Sequence, residues 1–382
     1  MKKNLYLLML TILIVTMSEL QTAGMMPYIS SDLSVDMGQT GMLVSIYALG
    51  MALGGPLIAY FFRHVKPKNS LSIIILLYAL IEILAPIVHD FWWLFIARLM
   101  TGCLAGATFG STLTIAAKIS QSVETIGKNI SIVLSGLMIG TVIGLPLSHY
   151  IANEWSWQSS FYLLGIMTII LFVINLLILP SLPAATKSES SQDINNLRSK
   201  KLWGSYVVSF LTIGAAYGSF SFFTPLLQEN AGLSASATTA TLFGYGICTI
   251  IGNSIVGIYA DKYPVYVLRI GHSLLLISLI IISLFSYNST ITVPMVLIVG
   301  LVGISMNPAL VKRVNEAGGT GNLVTTVHTA VITLGVTSGT LFSSFAMKFF
   351  GDNPVIATWT GVFLVVIVSL VLFLQTNNSK KV

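Results

Sequence analysis

The chain is predicted to be an all-α polytopic membrane protein, with twelve transmembrane helices arranged as two pseudo-symmetric halves of six. Three observations predict it. Mean hydropathy is +0.87, 55% of the 382 residues are hydrophobic and only 8% are charged, a balance outside that of soluble globular domains. Twelve apolar windows follow one another, each close to the ~20 residues that cross roughly 30 Å of hydrocarbon. When the loops are assigned alternately to the two sides, all of the 19 basic residues except Arg98 and Lys348 fall on one side, as the positive-inside rule requires.

The windows cover 5–28, 39–61, 70–88, 92–118, 129–150, 159–180, 204–227, 236–259, 266–284, 291–310, 323–346 and 356–375. The first begins on Lys2 and Lys3 and has an apolar core like that of a signal peptide. No A-x-A-like site follows it and eleven more spans do, so it reads as a retained helix. Arg63, His64, Lys66 and Lys68 join spans two and three, Lys118 and Lys128 join four and five, and Lys262 and Arg269 anchor the junction of eight and nine. Lys312 and Arg313 separate spans ten and eleven, and Lys380 and Lys381 follow span twelve. The opposite loops hold Asp32, Asp36, Asp90, Glu154, Glu229 and Asp352. Trp92, Trp93, Trp155 and Trp157 are expected at one membrane interface and Trp203 at the other, as an aromatic belt. The expected placement is multi-pass in the cell membrane with both termini cytoplasmic. The net charge of +6 then reflects orientation and gives no support to a nucleic-acid partner.

The polar stretch from Pro180 to Lys201, carrying Lys187, Arg198 and Lys200, divides the chain. The expected organisation is an N-terminal six-helix half over 1–180, a cytoplasmic linker over 181–203 and a C-terminal half over 204–382. Pro225 lies 198 positions after Pro27, and the same shift sets Tyr217 on Glu19. The segment Gly257 to Lys262 answers Ala59 to His64 between the corresponding spans. Two repeated halves around a midplane site is the plan of secondary transporters.

Within the spans, Glu19 and Arg98 stand out, because an ionisable group in hydrocarbon is costly and marks a functional site by default. Glu82, in span three, is the third such charge and is expected to make an interhelical hydrogen bond. Gly136, Gly140 and Gly144, followed by Pro146, line one face of span five, and Gly102, Gly106 and Gly110 line one face of span four. Gly335 and Gly339 repeat the spacing in span eleven. Such faces let helix backbones approach closely. Cys103 and Cys248 both lie within spans, which excludes a disulfide framework and a zinc site.

Together, Glu19 through Pro27, Tyr47 through Gly50, Ala97 through Gly102 and Gly140 through Pro146 resemble the major facilitator superfamily, over nearly the whole chain. The resemblance is to its twelve-span bacterial drug:proton antiporter group, nearest the efflux permeases of arabinose, chloramphenicol and purine-nucleoside type. It implies the major facilitator fold, with spans one and four lining a central cavity. The piece from Arg98 to Gly102 is similar to the family's span-four motif linked to proton coupling, and Gly136 to Pro146 to the span-five motif typical of antiporters. Gly257 to Lys262, with Asp261 and Lys262, is similar to the loop motif that locks the halves at the cytoplasmic face. In the first half Arg63 occupies the position that Asp261 holds in the second, so a charge relay is not expected there, and the basic residues around it read as topology anchors.

At about 1.5 Å per residue, Glu19 lies roughly 21 Å from the inner end of span one and Arg98 roughly 9 Å from the outer end of span four, hence at equal depth. Burial favours a neutral carboxyl and a nearby guanidinium favours a carboxylate, so the proton affinity of Glu19 is expected to follow conformation. The expected substrate-facing residues are Met26, Tyr217, Phe220, Phe223, Asn307 and His328. Tyr217 and Phe220 are three apart on one helix face. Tyr217, at the position matching Glu19, is uncharged, so coupling is expected to rest on the first six spans.

The expected function is proton-coupled efflux of small amphipathic or hydrophobic molecules by alternating access, as a monomer in the lipid bilayer. A proton-coupled importer and a non-transporting scaffold or sensor are the alternatives. No H-E-x-x-H, paired-Asp motif, Walker A loop or G-x-S-x-G occurs, so no enzyme and no self-contained pump is expected. No cofactor is expected either, with the proton gradient as the energy source.

Overall fold

The computed structural model describes residues 2–62, 65–120, 123–182, 199–319 and 322–378, and the regular elements among them are all helical. Arg63, His64, Lys187, Arg198, Lys380, Lys381 and most of the expected 181–203 linker lie outside the described residues. The first six helices are α1 (Lys2–Leu33), α2 (Met37–Phe61), α3 (Pro67–Leu84), α4 (Phe91–Lys118), α5 (Val123–Glu154) and α6 (Trp157–Ile178). They are followed by α7 (Lys200–Phe220), α8 (Ala235–Ala260), α9 (Pro264–Phe285), α10 (Ser289–Val302), α11 (Asn307–Gly318), α12 (Asn322–Phe350) and α13 (Val355–Asn378). Twelve helical stretches are long and apolar enough to cross a membrane, spans seven and ten being composite.

Local chemistry sets the helix ends. Asp90, Ser156, Ser199 and Ser234 each accept a backbone N–H three residues on, capping α4, α6, α7 and α8. Pro67 and Pro264 open α3 and α9, where a missing N–H costs nothing. Spans seven and ten, expected as continuous helices, are broken. Pro225 cannot donate to the carbonyl four residues back, and the chain after Phe220 continues through the one-turn helix Phe223–Pro225 into the π-helical turn Leu226–Asn230. Pro308 has the same effect in span ten, where Gly303 and the 3₁₀ turn Ile304–Met306 separate α10 from α11. There Ser305 Oγ donates to the carbonyls of Gly300 at 2.6 Å and Thr249 at 3.1 Å.

The chain forms two compact units, Met1–Val35 with Ile46–Lys187, and Asp36–Ser45 with Ser188–Val382. The first turns of α2 thus group with the second unit instead of with the other residues before 180. The causes are specific. Asp352, in the left-handed region (φ 51°) after Gly351 (φ 108°), accepts from Met37 N at 2.9 Å and Gly38 N at 3.1 Å. Ser45 Oγ donates to Thr340 Oγ1 at 2.6 Å.

Within the first unit, α1 packs along α5 through the glycine ridge. A Cβ on Gly140 would stand 2.8 Å from Thr16 Cβ and 2.9 Å from the Leu13 carbonyl oxygen, and one on Gly144 would stand 2.9 Å from Met17 Cα. The span-four ridge meets α2 in the same way, where a Cβ on Gly50 would lie 2.8 Å from Cys103 N. In the second unit α7 crosses α12, with a Cβ on Gly335 at 2.6 Å from the Phe210 carbonyl oxygen. At these crossings there is no room for a side chain, which is why the sequence spends glycine in helix interiors despite its entropic cost, whereas Gly110, the last glycine of the span-four ridge, meets nothing within 4 Å. The apolar core beneath the first ridge includes Leu8, Ile12, Leu71, Ile75, Ile115 and Leu164. Trp92, Trp155 and Trp203 are exposed, but Trp157 is buried (3%), because its indole Nε1 donates to Asp32 Oδ2 at 2.7 Å. Trp157 stands at the end of its span, as expected, and is covered by protein.

Candidate functional site

The polar run Ser18-Glu19-Leu-Gln21-Thr22 interrupts the apolar α1 one turn beyond the Gly140 and Gly144 crossings. Ser18 and Gln21, three residues apart, share a face directed at α3 and α4, while Glu19 between them keeps partial exposure. Arg98 of α4 is fully buried and is the largest side chain in that condition. Its Nη1 donates to the Ser18 carbonyl at 3.0 Å and to Ser18 Oγ at 3.3 Å, and its Nη2 donates to the Glu19 carbonyl at 3.3 Å. The guanidinium carbon lies 4.0 Å from the centroid of the Tyr47 ring, a cation–π contact in a dry environment.

Arg98 and Glu19 therefore meet at one level along α1, through a backbone carbonyl. Their side chains do not form an ion pair: among the described residues the pairs within 4 Å are His89 with Asp32 at 3.6 Å and Lys312 with Asp261 at 3.9 Å. The carboxyl bound into the network is that of Glu82, which is fully buried. Ser18 Oγ donates to Glu82 Oε1 at 2.9 Å, and Gln21 Nε2 donates to the same oxygen. Gln21 Oε1 in turn accepts from Ser160 Oγ of α6 at 3.0 Å. Tyr47 and Tyr78 close the cluster, their hydroxyls 3.2 Å apart. Glu82 Oε2 and Arg98 Nε have no partner.

In the second unit, Phe220 and Phe223 are interior residues. Phe220 stacks on Tyr245 with centroids 4.8 Å apart and meets Tyr217 edge-on at 5.7 Å, and Phe223 meets Tyr245 at 5.9 Å. As they stand, both phenylalanines and Met26 of the first unit are fully buried and present no surface to a ligand, whereas Tyr217 and Asn307 are partly exposed. Asn307 Oδ1 is a buried acceptor without a donor. His328 is buried, hydrogen-bonded through Nε2 to Ser209 Oγ at 2.9 Å and stacked on Tyr206. A second buried histidine, His272 of α9, bonds Thr212 Oγ1 of α7 at 2.9 Å. Asp261 and Lys262 are exposed at the end of α8, and Asp261 faces Lys312 of α11. Among the described residues no group of three His, Cys, Asp or Glu is placed to hold a metal ion.

The family model described as Major Facilitator Superfamily matches residues 8–326. The chain belongs to this superfamily. The uncharacterized MFS-type transporter YtbD of Bacillus subtilis (strain 168) is 29% identical over 249 residues, 65% of this chain and 63% of that one, so this match spans less than two thirds of the relative. The chloramphenicol resistance protein of Streptomyces lividans is 25% identical over 379 residues, covering 97% of this chain and 95% of that protein. Among solved structures, a bacterial homolog of the human lysosomal transporter Spinster, inward-facing and occupied, superposes with a TM-score of 0.80 at 15% identity, covering 98% of this chain and 97% of that one. This last likeness is one of fold.

As a major facilitator, the chain concentrates its buried charge in the first unit. The structure brings Arg98 to the Ser18–Glu19 turn of α1, and sets the Gly136, Gly140 and Gly144 ridge, with Pro146 inside the same helix, against the α1 turns that precede it. It links Tyr217 to Phe223 through Phe220, whose ring lies 5.7 Å from the first and 6.3 Å from the second. Sequence reasoning gave no site role to Ser18, Gln21, Tyr47, Tyr78 or His272, although Gln21 and Tyr47 lie in segments that carry the family resemblance. The signal for the first two was the density of polar residues around Glu19 in an apolar helix, whereas Tyr78 and His272 look like ordinary span residues. Glu82, expected to make an interhelical hydrogen bond, accepts two from α1, those of Ser18 and Gln21.

Proposed function

We propose that this chain is a proton-coupled secondary transporter of the cell membrane, with both termini cytoplasmic, that exports small amphipathic or hydrophobic molecules in exchange for protons. The observation that carries the reading is a buried guanidinium held against the turn of α1 that bears a partly exposed carboxyl. The efflux character draws support from the relative named for chloramphenicol resistance. A carboxyl in such a place has a proton affinity that depends on its distance from the guanidinium, because the two competing influences are burial and the opposite charge. Alternating access changes both. Glu19 takes a proton while facing outward, and after the halves rock it gives the proton up inward as substrate is engaged. Tyr217 and Asn307, the partly exposed members of the candidate set, are the residues assigned to the substrate wall. The energy source is the proton gradient, with no cofactor.

The test is flux in liposomes containing the purified chain, with ethidium and chloramphenicol as probes. An imposed proton gradient should drive probe movement, and probe addition should move protons. Glu19→Gln should abolish both. Equal probe flux with and without a gradient would sink the proposal, as would normal coupling in Glu19→Gln.

A further inference from the structure

We infer that Glu82 is the fixed counter-charge of Arg98, a positioning residue that relieves Glu19 of that task and leaves Glu19 free to exchange its proton. The inference rests on the coupling role proposed above for Glu19 and extends it to the division of labour between two acids.

The hydrogen-bond directions carry the argument. Ser18 has one hydroxyl proton, and it points at Glu82 Oε1. The Ser18 oxygen is therefore the acceptor for Arg98 Nη1 at 3.3 Å and for Gln21 Nε2 at 3.3 Å. Gln21 also donates to Glu82 Oε1, with its own carbonyl oxygen occupied by Ser160. Arg98 Nη1 and Gln21 Nε2 are N–H donors only, so the Ser18 oxygen accepts from them and its hydroxyl is left to donate to Glu82 Oε1, which also meets Gln21 Nε2. That is the pattern of a carboxylate. A proton on Oε2 would be a buried donor with nothing to accept it, since that oxygen has no partner. It would also leave a fully buried guanidinium to be balanced by Glu19 alone, which is bonded to it only through a backbone carbonyl.

The charged and titratable groups around Glu82 are few. Arg98 faces it from α4, Tyr47 from α2 and Tyr78 from its own helix. On α1 the neighbours are Ser18 and Gln21, and among the described residues Glu19 makes no ion pair within 4 Å. One cation and two acids share a dry site, and neutrality requires one ionised acid and one protonated acid. The bonds assign the ionised form to Glu82. Glu19, which touches Arg98 only through its backbone carbonyl and keeps partial exposure, is then the acid that holds and releases a proton.

The experiment uses the full chain in lipid nanodiscs and needs no substrate. Infrared difference spectra across a pH titration follow the carboxyl band of wild type, Glu19→Gln and Glu82→Gln. The titrating band should vanish in Glu19→Gln. In Glu82→Gln it should persist but shift to the acid side, because Glu19 becomes the only counter-charge for Arg98. A band that vanishes in Glu82→Gln and persists in Glu19→Gln would reverse the assignment, and an unshifted band in Glu82→Gln would overturn it. Thermal unfolding gives a second measure that tolerates a poorly folding single variant. Glu82→Gln and Arg98→Gln should each lower the midpoint, and the double variant should recover part of the loss; additive losses would refute the pairing. Normal coupling in Glu19→Gln would defeat the proposed function while leaving the Glu82–Arg98 cycle intact, so the two failures are distinguishable.

Discussion

Replacing Arg98 by lysine keeps the charge and removes the fork, and the structure sets the size of the effect. Arginine donates to two carbonyls of α1 at once, those of Ser18 and Glu19, and its guanidinium carbon stands over the Tyr47 ring, 4.0 Å from the centroid. A lysine ammonium reaches one carbonyl, because its charge is a point on a flexible stem. The lost charge-assisted hydrogen bond is worth about 1.5–3 kcal/mol, and the weakened contact with the Tyr47 face adds about 0.5–1 kcal/mol. Arg98→Lys should therefore cost about 2–4 kcal/mol. The assay is equilibrium unfolding of the full chain in detergent micelles, with Arg98→Gln measured beside it. The lysine variant should fall between wild type and the glutamine variant, which leaves Glu82 without its partner. A change below about 0.5 kcal/mol would show that the bonds to α1 contribute nothing net. Equal losses in the two variants would show that geometry counts and charge does not.

Three further outcomes are expected. Gly140→Ala should destabilise the chain by about 1–3 kcal/mol by forcing α5 from α1, whereas Gly110→Ala, where an added methyl meets nothing within 4 Å, should be neutral or stabilising by up to about 1 kcal/mol; thermal midpoints of the pair decide it, and equal effects would refute the close crossing. Asp352→Ala should cost about 0.5–2 kcal/mol, since the first N–H groups of α2 lose their acceptors, and Asp352→Asn should lose less; midpoints at wild-type values would show the cap to be idle. His328→Ala, which removes the Ser209 bond and the Tyr206 stack and empties a buried site, should cost about 2–4 kcal/mol by the same measurement.

Much of the architecture was legible. The span count depends on composition alone, and Gly136, Gly140 and Gly144 announced a close crossing because their spacing puts them on one helix face. The identity of that crossing was not legible, since the sequence does not say that α5 meets α1 and α4 meets α2. The breaks at Pro225 and Pro308 were written in the chain, but an average over about 20 residues smooths over a single proline. At the site, Glu19 and Arg98 were visible as charges in apolar surroundings. Glu82 was equally visible, and its importance depended on the rotation of α3 about its axis. Phe220 and Phe223, expected to face substrate, pack on Tyr245 of another helix, a contact that no spacing within span seven announces.

Hydropathy and charge are properties summed along the chain, and the bilayer reads them in one dimension. That is why the sequence by itself determined the membrane class, the twelve apolar spans and the presence of costly charges within them. Which groups meet depends on how each helix is turned about its own axis and which neighbour it touches, and a turn of one residue, about 100°, exchanges partners without altering hydropathy. Tertiary structure alone decided that Arg98 reaches the carbonyl of Glu19 and not its carboxyl, and that the hydroxyl of Ser18 points to Glu82.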